Sequence, residues 1–121
     1  MAFVVKRVHE EPSPEDGFRV LVDRLWPRGV SKQRARVDLW LKDVAPSTDL
    51  RNWFHAEPGR FDEFAERYEA ELEDNPAVDE LREIGAQHPV VTLLYGARAA
   101  HDRNHAAVLA RFLLPPDRRR G

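Results

Sequence analysis

The 121 residues include no cysteine, so disulfides, thiolate metal ligands and a cysteine nucleophile are all excluded, and nothing points to an oxidising compartment. Glycine is sparse. The residues at 17, 29, 59, 85, 96 and 121 are too scattered to form a phosphate-cradling loop of the Rossmann kind. No apolar run approaches the roughly 18 residues of a membrane span, and Met1 to Val8 reads as a strand with no signal-peptide core before it. A cytoplasmic protein without membrane contact is the expectation. An excess of one charge is also lacking: 19 basic and 21 acidic residues leave a net charge of −2, which disfavours a nucleic-acid footprint over the whole surface and leaves room only for a local contact. No helix-turn-helix with a basic recognition helix is present.

What is there reads as one domain over residues 1–121, with 115–121, from Pro115-Pro116 through Arg118-Arg119-Arg120, as a flexible basic tail. Phe3, Val4, Val5 and Val8 form a first strand, followed by a polar connection from Glu10 to Gly17. Phe18 to Leu25 reads as a second strand apolar on both faces, Val20 and Val22 on one side and Leu21 and Leu25 on the other. Ser31 caps a short helix through Arg36, and the alternation of Val37, Leu39 and Leu41 with polar or aromatic neighbours favours an extended segment. After Pro46, Ser47 or Thr48 starts a helix carrying Leu50, Trp53 and Phe54 on one face. Phe61, Phe64, Ala65, Tyr68 and Leu72 mark the stripe of the next helix, and Asn75-Pro76 opens a third. Val90 to Tyr95 is the best candidate for a central strand, and Asn104 to Leu114 forms the last helix. Strands separated by helices predict an α/β fold, a three- or four-stranded mixed or mainly parallel sheet covered by helices.

In such sheets ligands collect beyond the carboxyl ends of the strands. Two strand ends here carry chemistry. One is Asp23, Arg24, Trp26, Arg28 and Gly29; the other runs from Tyr95 through a loop to Asn104 and His105 at a helix start. Arg24 and Arg28 offer forked donors for phosphate or carboxylate, and the first amides of the last helix add to an anion site. Gly29 allows close backbone approach. His105 is the residue able to change charge near neutral pH. Simpler roles compete: Asp23 paired with Arg24 or Arg28 to pin a turn, Trp26, Trp40 and Trp53 as packing residues, and the Glu-rich face from Glu63 to Glu73 as solvated helix surface. The histidine spacings fit no metal pattern. Only His101 and His105 stand four apart, with Asp102 nearby, too thin a set for a metal site.

Asp23 to Gly29, Trp40-Leu41-Lys42-Asp43-Val44-Ala45-Pro46-Ser47, Leu50-Arg51-Asn52-Trp53-Phe54, Val91 to Tyr95 and Asn104-His105-Ala106 together closely resemble the YeaO-like branch of Domain of Unknown Function family 488. The resemblance spans about Val5 to Leu114. It implies a small bacterial α/β domain and no particular mechanism. Other branches carry cysteines near the final strand, where this chain has Tyr95, so thiol chemistry is out of reach.

The leading functional expectation is therefore a domain that binds a small anionic, phosphate-bearing ligand between the Asp23 to Gly29 turn and the Tyr95 to His105 loop. Arg24 and Arg28 would hold the anion, and Asp23 would orient an arginine or accept a ligand proton. Trp26, Tyr95, Asn104 and His105 would complete the site. The first alternative is a hydrolase or nucleic-acid-processing enzyme with His105 or Asp23 as general base. The second is an interaction module using exposed aromatics, which admits a homodimer. No cofactor is implied.

Overall fold

The computed structural model describes residues 2–97 and 103–114. Four strands, β1 (Ala2–Arg7), β2 (Phe18–Leu21), β3 (Leu39–Trp40) and β4 (Val90–Tyr95), form one sheet in the order β1-β4-β2-β3, every pair parallel. The expected α/β class holds, and the sheet is parallel throughout. Helices α2 (Thr48–Ala56), α3 (Phe61–Glu73), α4 (Pro76–Gln87) and α5 (His105–Leu113) supply the partners of Val20, Val22, Val91, Leu93 and Tyr95 in the main core. The opposite face is thinner. There Leu21, Leu94 and Val8 cluster with Ala35 of α1 (Lys32–Ala35) and with the side chains of Trp26, Val30 and Val37. The caps fall where the residue types placed them: Ser31, Ser47, Asn75 and Asn104 each accept a first-turn amide.

The connection from β1 to β2 crosses the thin face of β4, and it holds more than a polar link. Asp16 is buried within it, accepting from the Ser13 backbone amide at 3.0 Å, from Lys6 Nζ at 3.0 Å and from Arg19 Nη1 at 2.5 Å. Thr92 on β4 donates to the Asp16 carbonyl at 2.6 Å. Arg19, only 4% exposed, is an unanticipated charge inside a strand read as apolar. Its guanidinium also donates to Ala35 O at 2.6 and 3.1 Å and to Arg36 O at 3.2 Å, closing the carboxyl end of α1. Gly17 has φ 62°, and a Cβ there would lie 2.3 Å from the Val90 carbonyl oxygen, so the crossing tolerates only glycine.

Two strands are shorter than expected. β2 stops at Leu21, leaving Leu25 64% exposed instead of facing the sheet, and β3 is confined to two residues. The last helix begins at His105 with Asn104 as its cap.

Candidate functional site

The early end of β2 is a side-chain effect. Val22 N–H still donates to Leu94 O at 3.0 Å, and with Leu21 opposite Leu94, a continued parallel ladder would next send the Gly96 amide to the Val22 carbonyl. That bond is replaced. Gly96 N–H donates to Asp23 Oδ2 at 2.9 Å, while the Val22 carbonyl faces His105 Nε2 at 3.2 Å. Asp23 and His105 thus insert between the carboxyl ends of β2 and β4. After β2 the chain turns to the thin face, and after β4 it reaches α5 on the helical face, so the split lies where the connections diverge.

His105 Nε2 is also 3.1 Å from Asp23 Oδ1. Both neighbours of that nitrogen are acceptors, so Nε2 carries a hydrogen. Its N–H is directed at the Val22 carbonyl, and Asp23 Oδ1 is left as a buried oxygen close to the imidazole but without a directed hydrogen bond. An acceptor in that condition is expensive unless something else donates to it.

Arg24 stands beside this pair. Its Nε donates to Pro46 O at 3.3 Å and its Nη2 to Ala45 O at 3.1 Å, and among the described residues no carboxylate forms an ion pair with it. Asp23 therefore pairs with a histidine and an amide, and the expected turn-pinning pair with Arg24 or Arg28 does not form, because its two oxygens are aimed across the strand split at Gly96 and His105. Tyr68, read from the sequence only as part of an apolar stripe, closes the floor. Its ring meets that of His105 edge-on at 6.4 Å, and its hydroxyl donates to Val44 O at 2.6 Å. Burial pushes that hydroxyl far above its ordinary range, Glu71 and Asp23 push it further and Arg24 opposes them, so it remains a donor. Tyr68→Phe should cost about 1–2 kcal/mol in urea unfolding, because the fully buried Val44 carbonyl loses its donor.

The remaining expected site residues are dispersed. Tyr95 is buried in the main core, and burial raises its hydroxyl above the usual range, with Glu10 adding to the shift and Arg7 opposing it, which places it on the β1 side. Asn104 caps α5 by accepting the Ala107 amide at 2.9 Å. Trp26 donates from Nε1 to Val30 O at 2.8 Å. Arg28 is exposed, and Gly29 lines a separate groove of about 220 Å³ against the turn from His9 to Pro12. Glu71 is not free helix surface, since its carboxylate accepts from Ser47 N at 2.9 Å and Ser47 Oγ at 2.6 Å. Trp53 packs between Arg60 and Arg67, but Trp40 is 37% exposed and does not fit the packing role expected of it. His101 and Asp102 lie outside the described residues, and among those described no group of side chains could hold a metal ion. No described helix is long and apolar enough to cross a membrane.

An uncharacterized protein of Mycobacterium tuberculosis is 51% identical over 109 residues, covering 90% of this chain and 91% of its own length. A counterpart in Mycobacterium bovis is equally similar. The uncharacterized protein YeaO of Escherichia coli is 44% identical over 109 residues, 89% of this chain and 93% of its own. No solved structure matches. The family described as "Inactive DUF488-N3 subclade" matches residues 2–120, and the chain belongs to this YeaO-like part of the DUF488 family.

Proposed function

We propose that the protein binds a small phosphate-bearing anion at the split between β2 and β4, without turning it over. The observation that carries this reading is Arg24: a half-buried guanidinium fixed by two carbonyls, with its charge unopposed by a carboxylate ion pair among the described residues. A charge held in that way is stabilised by an incoming anion and offers it preorganised donors. The first amides of α5, beside His105, add a favourable dipole. Asp23 Oδ1 supports the reading from the other side, as a buried acceptor suited to a hydroxyl of a phosphate monoester or its carrier. The word "inactive" in the family description favours binding over catalysis.

The Asp23–His105 contact of 3.1 Å supports a second reading, in which the pair acts as a general base. The two separate cleanly. Calorimetric titration with inorganic phosphate and a nucleoside monophosphate should show binding to the wild type, weakened about 10- to 100-fold in Arg24→Met. Equal affinity in the two proteins would remove Arg24 from the site. Conversion of the ligand, lost in His105→Gln, would establish the base reading instead.

A further inference from the structure

A second surface stands apart from this split. Residues 24–42 hold six basic residues and one acid, in a chain of net charge −2, whereas residues 43–89 hold four basic residues and thirteen acids. The acidic stretch contains α2, α3 and α4 on the helical face, and the basic stretch forms the turn after β2, α1 and the edge strand β3. The thin face also carries Glu10, Glu11 and Glu15, in the connection from β1 to β2, so its excess of positive charge lies on the β3 side, and a polyanion approaching this protein is steered to that edge.

That side also presents aromatic rings. Trp26 and Trp40 meet edge to face with centroids 5.5 Å apart. Lys32 Nζ lies 5.8 Å from the Trp26 ring and Lys42 Nζ lies 5.4 Å from the Trp40 ring, giving a continuous row Lys32–Trp26–Trp40–Lys42. Both indoles are held in place, Trp26 by Val30 O and Trp40 by the Asp23 carbonyl at 2.7 Å, yet Trp40 stays 37% exposed. Lys32, Lys42, Arg28, Arg34 and Arg36 are exposed, and none forms an ion pair within 4.0 Å among the described residues. Unneutralised cations alternating with an oriented, exposed indole match a partner with repeating negative charge and flat rings.

We propose that this row binds single-stranded nucleic acid, the lysines and arginines following the phosphates and a base stacking on Trp40. An acidic peptide supplies the charge without the rings, and a duplex hides the faces of its bases, so the single strand uses both halves of the surface. The proposal does not depend on the phosphate site at Arg24.

Fluorescence anisotropy with labelled dT12 and U12 at 50 and 150 mM KCl tests it. Wild type should bind both, and Lys32→Gln/Lys42→Gln should bind about tenfold more weakly, with the slope of log affinity against log salt reduced by about 1.4, the release expected for two phosphate contacts. Trp40→Leu should also lose on the order of tenfold, whereas Trp40→Phe should stay close to wild type. Both Trp40 variants lose the bond to the Asp23 carbonyl, so their difference reports stacking alone. Arg51→Gln/Arg111→Gln removes the same charge from α2 and α5 and should leave binding unchanged. Unaltered affinity in the lysine variant, or equally tight binding of a polyglutamate of matched charge or of a 12-base-pair duplex, would overturn the proposal.

Discussion

Asp16→Ala should lower the unfolding free energy at pH 7 by about 3–5 kcal/mol, the range for leaving one member of a buried ion pair without its partner, and the melting temperature by on the order of 10 °C or more. Arg19 is the reason. Its guanidinium is 4% exposed, and without Asp16 it keeps only the carbonyls of Ala35 and Arg36 as partners. The same carboxylate gives acid sensitivity with a definite sign. Burial pushes the Asp16 carboxyl up, but the Ser13 amide, Lys6 and Arg19 outweigh it and hold it below the ordinary value. A depressed folded-state pKa contributes stability that is fully present above the unfolded value, near pH 4, and is lost as pH falls through the folded one. Urea midpoints measured from pH 7 to pH 2 should therefore decline more steeply below pH 4 in wild type than in Asp16→Ala. A loss under 1 kcal/mol at pH 7 would mean that the α1 carbonyls alone suffice for Arg19. Lys6→Met should cost much less, because the Lys6 side chain retains access to water.

The second large effect is expected at Asp23. Asp23→Ala deprives the Gly96 amide of a charged acceptor and removes the carboxylate that lies against His105 Nε2, a loss of about 2–3 kcal/mol. Hydrogen exchange at the Gly96 amide should accelerate at least tenfold, on the order of the 1.4 kcal/mol that one such bond contributes. The strand split itself makes a sharper test. If Asp23 and His105 together hold β2 and β4 apart, removing both frees the Gly96 amide to donate to the Val22 carbonyl and extend the ladder. The double variant Asp23→Ala/His105→Ala should then be less destabilised than the sum of its single variants by about 1 kcal/mol. Strict additivity in urea unfolding would show that the two side chains act independently and that the ladder does not close.

These two carboxylates also show where reading the chain stops being sufficient. Asp23 stood out because a charge following an apolar run has to face a cleft or a partner, and the cleft is there. Its partner could not be chosen from sequence: Arg24 and Arg28 are nearer along the chain, but His105 is 82 positions away and reaches Asp23 only because β2 and β4 are neighbours. Asp16 was invisible, placed in a stretch of proline, glutamate and glycine that reads as exposed loop. Its burial depends on that stretch crossing β4 over Thr92, a consequence of strand order. Tyr68 was found as a core residue by its spacing, and the hydroxyl's task at the Val44 carbonyl was not. Leu25 reads as strand in the sequence, but side-chain hydrogen bonds end β2 four residues earlier.

By itself the sequence determined the elements and their polarity. Apolar runs of β-branched residues between capped, amphipathic segments point to a mixed or mainly parallel sheet under helices, and the structure makes every pair parallel. It also determined what chemistry is absent, above all anything that needs a thiol. Only the tertiary structure decided which side chains meet. Strand order brings Asp23, Gly96 and His105 to one split, sends Gly29 to another groove, and gathers Trp26, Trp40 and two lysines into a row. The physical reason is that periodicity and capping act within about four residues along the chain, whereas hydrogen bonds and ion pairs act over about three ångströms in space, whatever the separation in sequence.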